Sequence, residues 1–226
     1  MKAKGSSASE KKLRREILEI ALIMSRRGLS PGRSGNVSAR FGDGMLITPT
    51  GMAYDTLEPS DIVLVDGDGA VLGNQRKLSS EWRFHLFAYD ARPDRHAVVH
   101  SHSLHATVLA CVKKPIPAFH YMVAVAGGKD IPVVPYATYG TDELGQHVAK
   151  GLKDRDACLM ASHGQIAIGE TLASALELAF EVETLAEQYY KVLLLGASNI
   201  FPDILSDKAM IEMVEKFKGY GQKGQG

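Results

Sequence analysis

Short apolar runs alternate with amphipathic segments along most of this chain, and the alternation has no regular βαβ rhythm. The runs at 37–41 and 45–48 are separated only by Gly42-Asp43-Gly44, a turn typical of a hairpin between antiparallel strands. Other stretches carry apolar residues at helical spacing, as in Leu13, Ile17 and Ile20. This mixture predicts an α/β fold with a mixed or antiparallel sheet covered by helices on both sides.

The same patterns divide the chain into elements within a single domain. Residues 1–9 are predicted to be a disordered tail, and 10–226 one domain, because 226 residues suit one core. Thr141 and Ser206 are predicted to cap the helices that follow them. Strands are predicted at 37–41, 45–48, 62–65, 70–72, 97–99, 131–134, 157–160 and 165–168. Helices are predicted at 10–28, from 79–81 to 92, and at 103–111, 141–152, 171–195 and 206–218.

Charge and composition exclude several classes of function. The chain has 26 basic and 26 acidic residues, which gives no reason to expect nucleic acid or an anionic membrane as a partner. No apolar run approaches the roughly 18 residues that span a bilayer, and residues 1–12 lack the apolar core of a secretory signal. Cys111 and Cys158 are predicted to be buried, reduced thiols of a cytoplasmic protein.

Two histidines follow a β-branched pair in His100-Ser101-His102. Residues i and i+2 of a strand point to the same face, so both imidazoles can converge on one ion. Catalytic zinc usually takes three protein ligands, and His163, in a tight turn between two apolar runs, is the best candidate for the third. The alternative is a histidine pair without metal. His105 competes as a ligand, although a helix from Ser103 would turn it away.

The remaining histidines have no such geometry. His85, His96, His120 and His147 are therefore predicted to be surface or hydrogen-bonded structural residues.

Three turns rich in small residues could bind an anion the size of phosphate. They are Ser34-Gly35-Asn36, Thr48-Pro49-Thr50-Gly51 and Ser79-Ser80, which offer hydroxyl, amide and backbone N–H donors. Ser79-Ser80 precedes a predicted helix, whose N-terminus favours anions, although Ser79 could equally be a simple N-cap. Glu81 comes next, and its carboxylate could either complement the helix dipole or move protons.

In these segments the chain resembles the class II aldolase/adducin family. The matching motifs are 79–85, 98–102 and 162–164, and segments 116–122, 135–141 and 215–221 are similar to the branch of that family that acts on L-fuculose 1-phosphate. The resemblance runs from about residue 12 to residue 221.

The resemblance implies a three-layer α/β/α fold with a central mixed, largely antiparallel sheet, assembled as a homotetramer with sites at subunit interfaces. It implies Zn²⁺, or another divalent cation such as Mn²⁺ or Co²⁺, held by His100, His102 and His163. Glu81 would be the acid/base group and a possible fourth ligand without substrate. The other implied roles are phosphate binding by Gly35, Asn36, Thr50, Gly51, Ser79 and Ser80, and catalysis by Tyr121 of a neighbouring subunit and by Tyr220 in a mobile C-terminal tail.

The reaction implied is reversible cleavage of a ketose 1-phosphate to dihydroxyacetone phosphate and a small aldehyde. L-Fuculose 1-phosphate, which gives L-lactaldehyde, is the first choice; 5-deoxyribulose 1-phosphate and 5-methylthioribulose 1-phosphate are alternatives. A sugar-phosphate 4-epimerase is disfavoured because residues 118–121 lack a carboxylate. A methylthioribulose-phosphate dehydratase and a non-catalytic adducin-like module are the remaining alternatives. Arg33 departs from the family pattern, which has a small hydroxyl residue there.

Overall fold

The apolar runs form one seven-stranded sheet in the computed structural model, which describes residues 7–73 and 76–219. The strands are β1 (Asn36–Phe41), β2 (Gly44–Ile47), β3 (Val63–Val65), β4 (Ala97–Ser101), β5 (Val133–Val134), β6 (Ala157–Met160) and β7 (Gly164–Gly169). Their order across the sheet is β3-β2-β1-β4-β7-β6-β5, and only β5 and β6 are paired parallel. The prediction of a mixed, largely antiparallel sheet is therefore confirmed.

Helices cover both faces of this sheet. They are α1 (Ala8–Arg26), α2 (Trp82–Ala91), α3 (Leu104–Cys111), α4 (Asp142–Leu152), α5 (Leu172–Leu195) and α6 (Asp207–Phe217). Successive strand residues point to opposite faces, so Val99 joins the core beside α1, α3 and α5, whereas Val98 joins the core beside α2 and α4. The result is the three-layer α/β/α arrangement that the family resemblance implied.

The N-terminal boundary was predicted too far along the chain. Helix α1 begins at Ala8, and the Ser7 hydroxyl caps it by accepting a hydrogen bond from the Glu10 N–H at 3.1 Å. Residues 7–9 therefore belong to the helix and its cap, because serine competes well as an N-cap. Residues 1–6 of the predicted tail lie outside the described residues.

Two predicted strands are shorter than expected. The run 131–134 gives only β5, because Pro132 has no N–H and Ile131 pairs with Ile116 in an isolated bridge instead. The run 70–72 contributes a single bridge, Val71 to Val65, and no strand.

The caps and the cysteines gave different outcomes. Thr141 and Ser206 cap α4 and α6 as predicted, each hydroxyl accepting a backbone N–H three residues on. Cys158 is buried, but the prediction that Cys111 is buried was wrong. Cys111 is the last residue of α3 and is not part of its buried face, which consists of Ala106, Leu109 and Ala110, so it faces solvent. Within the described residues, none of the helices has the length and apolar character needed to cross a membrane.

Candidate active site

Three histidines meet where β4 and β7 end side by side. His100 lies within β4 and His102 follows it, so both side chains leave the strand on the face covered by α2. His163 lies in the turn that joins β6 to β7, and β7 is the direct neighbour of β4, with Ser101 opposite Gln165. The antiparallel register therefore brings a residue 61 positions along the chain from His102 next to it.

The turn that carries His163 depends on its two neighbours. Ser162 adopts a left-handed backbone conformation with φ 56°, which is uncommon for a residue other than glycine. At Gly164 a Cβ atom would lie 2.5 Å from the Ser101 carbonyl oxygen and 2.9 Å from the His102 ring. Only glycine lets the turn approach β4 this closely, and that approach is what brings the third imidazole to the other two.

Glu81 completes a group of four possible metal ligands whose ligand atoms all lie within 4.8 Å of one another. The Nε2 atoms of His100 and His102 are 3.1 Å apart, and Glu81 lies 2.9 Å from His163 Nε2 and 3.4 Å from His100 Nε2. A tetrahedral ion with bonds of about 2.0–2.1 Å has ligands about 3.3 Å apart. The donor set and its spacing therefore fit one divalent cation.

The protonation states suit a cation as well. His100 Nδ1 lies 2.7 Å from the Gln165 carbonyl oxygen, to which it donates, and this leaves the Nε2 lone pair directed at the cluster. Burial lowers the pKa of His100 to about 3, although Glu81 acts in the opposite direction. Burial also lowers the pKa of His102. Neutral imidazoles, which are the form that binds metal, therefore prevail at neutral pH.

Glu81 is the charged partner of these imidazoles. Burial alone would raise its pKa, but the interactions with His100 and His163 and the hydrogen bond from Asn36 outweigh burial and lower the pKa. Glu81 is the N-cap residue of α2, which begins at Trp82. Ser79 was predicted as the alternative cap, but it lies two residues before the N-cap; its hydroxyl accepts from the Glu81 N–H at 3.3 Å instead.

Residues of the three small-residue turns and three of the four metal-ligand residues border one pocket of about 450 Å³; His100 is fully buried and does not line it. Gly35 brings the first turn against β4: its φ is 78°, and a Cβ there would lie 2.6 Å from the His100 carbonyl oxygen. Within the described residues no lysine lines the pocket. The predicted site residues that do line it are Gly35, Asn36, Thr50, Gly51, Ser79, Ser80, Glu81, His102 and His163.

Known proteins resemble the chain over nearly its whole length. The profile of the class II aldolase and adducin N-terminal domain matches residues 15–190. The L-fuculose phosphate aldolase of Escherichia coli strain K12 is 51% identical over 211 residues, which cover 93% of this chain and 96% of that protein. The chain belongs to the class II aldolase and adducin family.

Further relatives show that this class II aldolase has close similarity to more than one group of enzymes. A 5-methylthioribulose-1-phosphate/5-deoxyribulose-1-phosphate aldolase of Rhodospirillum rubrum is 50% identical over 213 residues, 94% of either chain. A solved structure of an L-fuculose 1-phosphate aldolase superposes with a TM-score of 0.85 at 40% identity, covering 92% of this chain and 96% of that one. The protein is therefore an enzyme, a lyase of the aldolase type, and class II aldolases use a divalent metal.

The aldolase pocket also contains residues that sequence patterns did not single out as site residues. Tyr136 and Tyr139 line it with exposed rings. Both lie in segment 135–141, which carried part of the family resemblance, and that was the available signal. Arg33, the departure from the family pattern, lines the pocket too, and its Nη1 donates to the Gly51 carbonyl oxygen at 3.2 Å.

The structure describes one of the two predicted catalytic tyrosines of the aldolase, and that residue does not line this pocket. Tyr121 is not among the lining residues, its side chain is 46% exposed, and its ring stacks on Phe217 at 6.5 Å between centroids. Tyr220 lies outside the described residues.

The remaining histidines of the aldolase behave largely as predicted. His105 is turned away from the metal ligands and contacts Glu183 at 2.8 Å, as the start of α3 implied. His120 and His147 make hydrogen bonds with backbone groups, and His85 is fully buried and hydrogen-bonded to side chains.

Proposed function

We propose that this class II aldolase cleaves a ketose 1-phosphate, with L-fuculose 1-phosphate as the first choice, to dihydroxyacetone phosphate and L-lactaldehyde. The observation that carries the proposal is the shared pocket, which is bordered both by residues of the metal-ligand group and by residues of the three small-residue turns. The L-fuculose phosphate aldolase relative from E. coli, 51% identical, supports the choice of sugar.

The turns suit the phosphate end of such a substrate. Ser80 is exposed at the mouth of the pocket, whereas Ser79 is 4% exposed, so the two serines offer donors at different depths. Gly35, Thr50 and Gly51 add backbone or hydroxyl donors, and the Arg33 guanidinium adds the positive charge that the lining otherwise lacks. Phosphate held at this end fixes the position of the carbon–carbon bond that breaks.

We propose Zn²⁺ as the ion held by His100, His102 and His163, with Mn²⁺ or Co²⁺ as alternatives. A ligand group with three imidazoles favours zinc over the oxygen-binding cations Mg²⁺ and Ca²⁺. When bound, the ion supplies Lewis-acid stabilisation of negative charge that develops on the substrate.

Glu81 is the proposed acid/base group. Its carboxylate is ionised and reaches the pocket, so it can remove a proton from the hydroxymethyl carbon of dihydroxyacetone phosphate in the synthetic direction and return it in cleavage. Tyr121 is the proposed donor to the oxygen that becomes the aldehyde, and Tyr220 stays a predicted catalytic residue of the C-terminal tail.

Tyr121 is proposed to serve the pocket of another subunit. Its half-exposed ring is not among the side chains that line the pocket of its own chain. The exposed side chains of Leu104 and Val108 on α3 and of its C-cap residue Val112 form an apolar stripe shortly after the proposed metal ligand His102. Both features support a homotetramer with its sites at subunit interfaces.

A second substrate class is favoured by the Rhodospirillum rubrum relative, which is named for 5-methylthioribulose 1-phosphate and 5-deoxyribulose 1-phosphate. These sugars share the phosphate and ketone end with L-fuculose 1-phosphate. They differ at the end that leaves as the aldehyde.

The test is release of dihydroxyacetone phosphate, measured with a coupled NADH assay across a panel of ketose 1-phosphates. We expect the highest kcat/KM for L-fuculose 1-phosphate and loss of activity with a chelator, restored by Zn²⁺. A higher kcat/KM for 5-methylthioribulose 1-phosphate would replace the first substrate with the second. No release from any ketose 1-phosphate by the zinc-loaded protein would refute the proposed function.

A further inference from the structure

A chain of four buried polar side chains runs from Glu81 into the layer between the sheet and α2. Asn36 Nδ2 donates to Glu81 Oε2 at 2.8 Å, and Asn36 Oδ1 is 2.5 Å from His85 Nε2. His85 Nδ1 is 2.7 Å from the Ser38 hydroxyl, which is also 2.7 Å from the Tyr89 hydroxyl. None of Asn36, Ser38, His85 and Tyr89 is more than 4% exposed.

The periodicities of two elements bring these residues together. Asn36 and Ser38 are two apart on β1, and His85 and Tyr89 are four apart on α2, so each pair lies on one face of its element. The two faces pack against each other, and the side chains alternate between strand and helix along the chain of hydrogen bonds. Each member therefore has a neighbour on the opposite element to hold it.

The direction of every hydrogen bond in this chain is fixed by its first member. An ionised Glu81 carboxylate only accepts, so Asn36 must turn its NH₂ group toward Glu81 and its Oδ1 toward His85. His85 Nε2 must then carry a hydrogen. In a neutral imidazole Nδ1 consequently accepts from Ser38, and Ser38 in turn accepts from the Tyr89 hydroxyl.

Burial favours the neutral forms of the titratable side chains in this row of hydrogen bonds. Burial lowers the pKa of His85 to about 3, with Glu81 acting weakly in the opposite direction. Burial also raises the pKa of Tyr89, which therefore stays a phenol that can donate. A neutral His85 has one donor and one acceptor, and the chain uses both.

We infer that His85 is a positioning residue for the proton-transfer step: its Nε2–H holds the Asn36 amide in the one orientation in which Asn36 donates to Glu81. This inference rests on the proposed function, in which Glu81 moves the proton. If Asn36 were flipped, its Oδ1 would face the Glu81 carboxylate, and two acceptors would repel each other.

The inference changes the expected role of Asn36. Asn36 was predicted to bind phosphate, but one hydrogen of its amide is already given to Glu81. Its first role is then to hold the carboxylate, and its second N–H is the one available to an anion in the pocket that it lines.

The test uses two variants that carry the same amide group on side chains of different length. In His85→Gln the amide nitrogen takes the place of Nε2 and can still donate to Asn36. In His85→Asn the shorter side chain reaches only the position of Nδ1 and Ser38. Metal content and thermal unfolding are measured for both, so that a loss of fold or of metal is recognised separately.

The readout is exchange of the hydroxymethyl hydrogen of dihydroxyacetone phosphate with deuterium from solvent, followed by proton NMR at saturating ligand. We expect His85→Asn to lower the saturated exchange rate about tenfold to 100-fold, as is typical when an outer partner of a site is lost. His85→Gln should stay within about threefold of the wild type, since it keeps the donor. The apparent affinity for dihydroxyacetone phosphate should change less than the exchange rate in both variants.

Three results would overturn the inference. The saturated exchange rate could fall equally in both variants, or it could fall in neither. The third result is a change in the affinity for dihydroxyacetone phosphate while the saturated exchange rate stays unchanged. If His85→Asn does not fold, His85→Gln decides: wild-type exchange supports the inference and lost exchange refutes it.

Failure of the proposed function is recognised separately, because wild-type enzyme would then neither exchange nor cleave. The imidazole tautomer is tested without any activity by nitrogen NMR of protein labelled at histidine. We expect His85 to be neutral and protonated at Nε2, and a hydrogen at Nδ1 would refute the inference in either case.

Discussion

Two groups of residues at the pocket differ in how they are built. The first, here called the buried wall, comprises the proposed metal ligands and Asn36; it is held by paired strands and by the buried contacts of α2, and its His100 is 0% exposed. The second, here called the open wall, comprises lining residues on turns, among them the exposed Arg33, Ser80 and Tyr139. Geometry set by strand register resists small changes in sequence, whereas exposed turns accept them.

This difference explains why overall identity does not select a substrate. Relatives at 51% and 50% identity are named for different ketose 1-phosphates, which share one end of the molecule and differ at the other. The metal ligands and the phosphate-binding turns would both act on the shared end, so we expect substrate choice to depend on other exposed lining residues, such as Tyr136 and Tyr139, or on a neighbouring subunit.

The largest effect is expected from breaking the buried wall. His100→Ala or His163→Ala should reduce kcat/KM by about 1000-fold or more, because Lewis-acid stabilisation contributes several kcal/mol and each 1.36 kcal/mol is a factor of ten. Metal analysis of the purified variants should show less than one ion per site. His147→Ala, which removes a half-buried histidine that does not line the pocket, is the control and should keep both metal and activity.

Unchanged activity in a His100→Ala protein that has been verified as metal-free would contradict the proposed metal-dependent mechanism altogether. Retention of metal with loss of activity would instead move His100 from a ligand to another catalytic role.

The second prediction tests whether the open wall is completed by another subunit. Glu81→Ala and Tyr121→Phe should each be nearly inactive. After subunit exchange in a one-to-one mixture, about a quarter of the sites would combine a wild-type Glu81 with a wild-type Tyr121 from the neighbour. We expect activity to return in the mixture, measured beside native mass spectrometry.

If mixed oligomers form and no activity returns, Tyr121 acts within its own chain or has no catalytic role. An active monomer would contradict the proposed assembly as well.

The third prediction concerns the phosphate end. Ser80→Ala should raise KM for the ketose 1-phosphate about tenfold and leave kcat within about threefold, since a hydrogen bond to a charged group contributes about 1.5–3 kcal/mol in ground and transition states alike. Arg33→Ala should act in the same direction. The control is inhibition by inorganic phosphate, which should weaken in parallel; an unchanged KM in both variants would mean that the anion binds elsewhere.

Much of this site followed from local sequence patterns. His100-Ser101-His102 behind Val98-Val99 predicted two imidazoles on one strand face, because the period of a strand is a local property. The joining of His163 to them depends on the pairing of β7 with β4, which no local pattern encodes. The turn position of His163 made it a candidate ligand, and the resemblance to the family supplied the long-range information that joined it to the other two.

The row of buried hydrogen bonds behind Glu81 could not be predicted from local sequence patterns. His85 was predicted to be surface or structural, and its spacing from Tyr89 is unremarkable for any helix. Its contacts with Asn36 and Ser38 cross 49 and 47 residues of sequence and depend on how α2 packs on β1. Pro132 shows the same at a smaller scale: a missing N–H is readable in sequence, but the partner that Ile131 takes instead is not.

The smallest effect is expected on the free energy of unfolding, when one tyrosine hydroxyl is removed from the buried residues behind Glu81 and one from the exposed residues of the pocket. Tyr89 is 2% exposed and its hydroxyl contacts Ser38 at 2.7 Å, whereas the Tyr139 ring is 63% exposed. Tyr89→Phe should lower the free energy of unfolding by about 1 kcal/mol, the net contribution of one intramolecular hydrogen bond. Tyr139→Phe should change it by less than about 0.5 kcal/mol, as most surface substitutions do. Both are measured by urea denaturation at one fixed protein concentration, because the stability of an oligomer depends on concentration. Equal effects would mean that the Tyr89 hydroxyl contributes no more to stability than a solvated hydroxyl. The hydrogen bonds from Glu81 to His85 would then form without support from Tyr89.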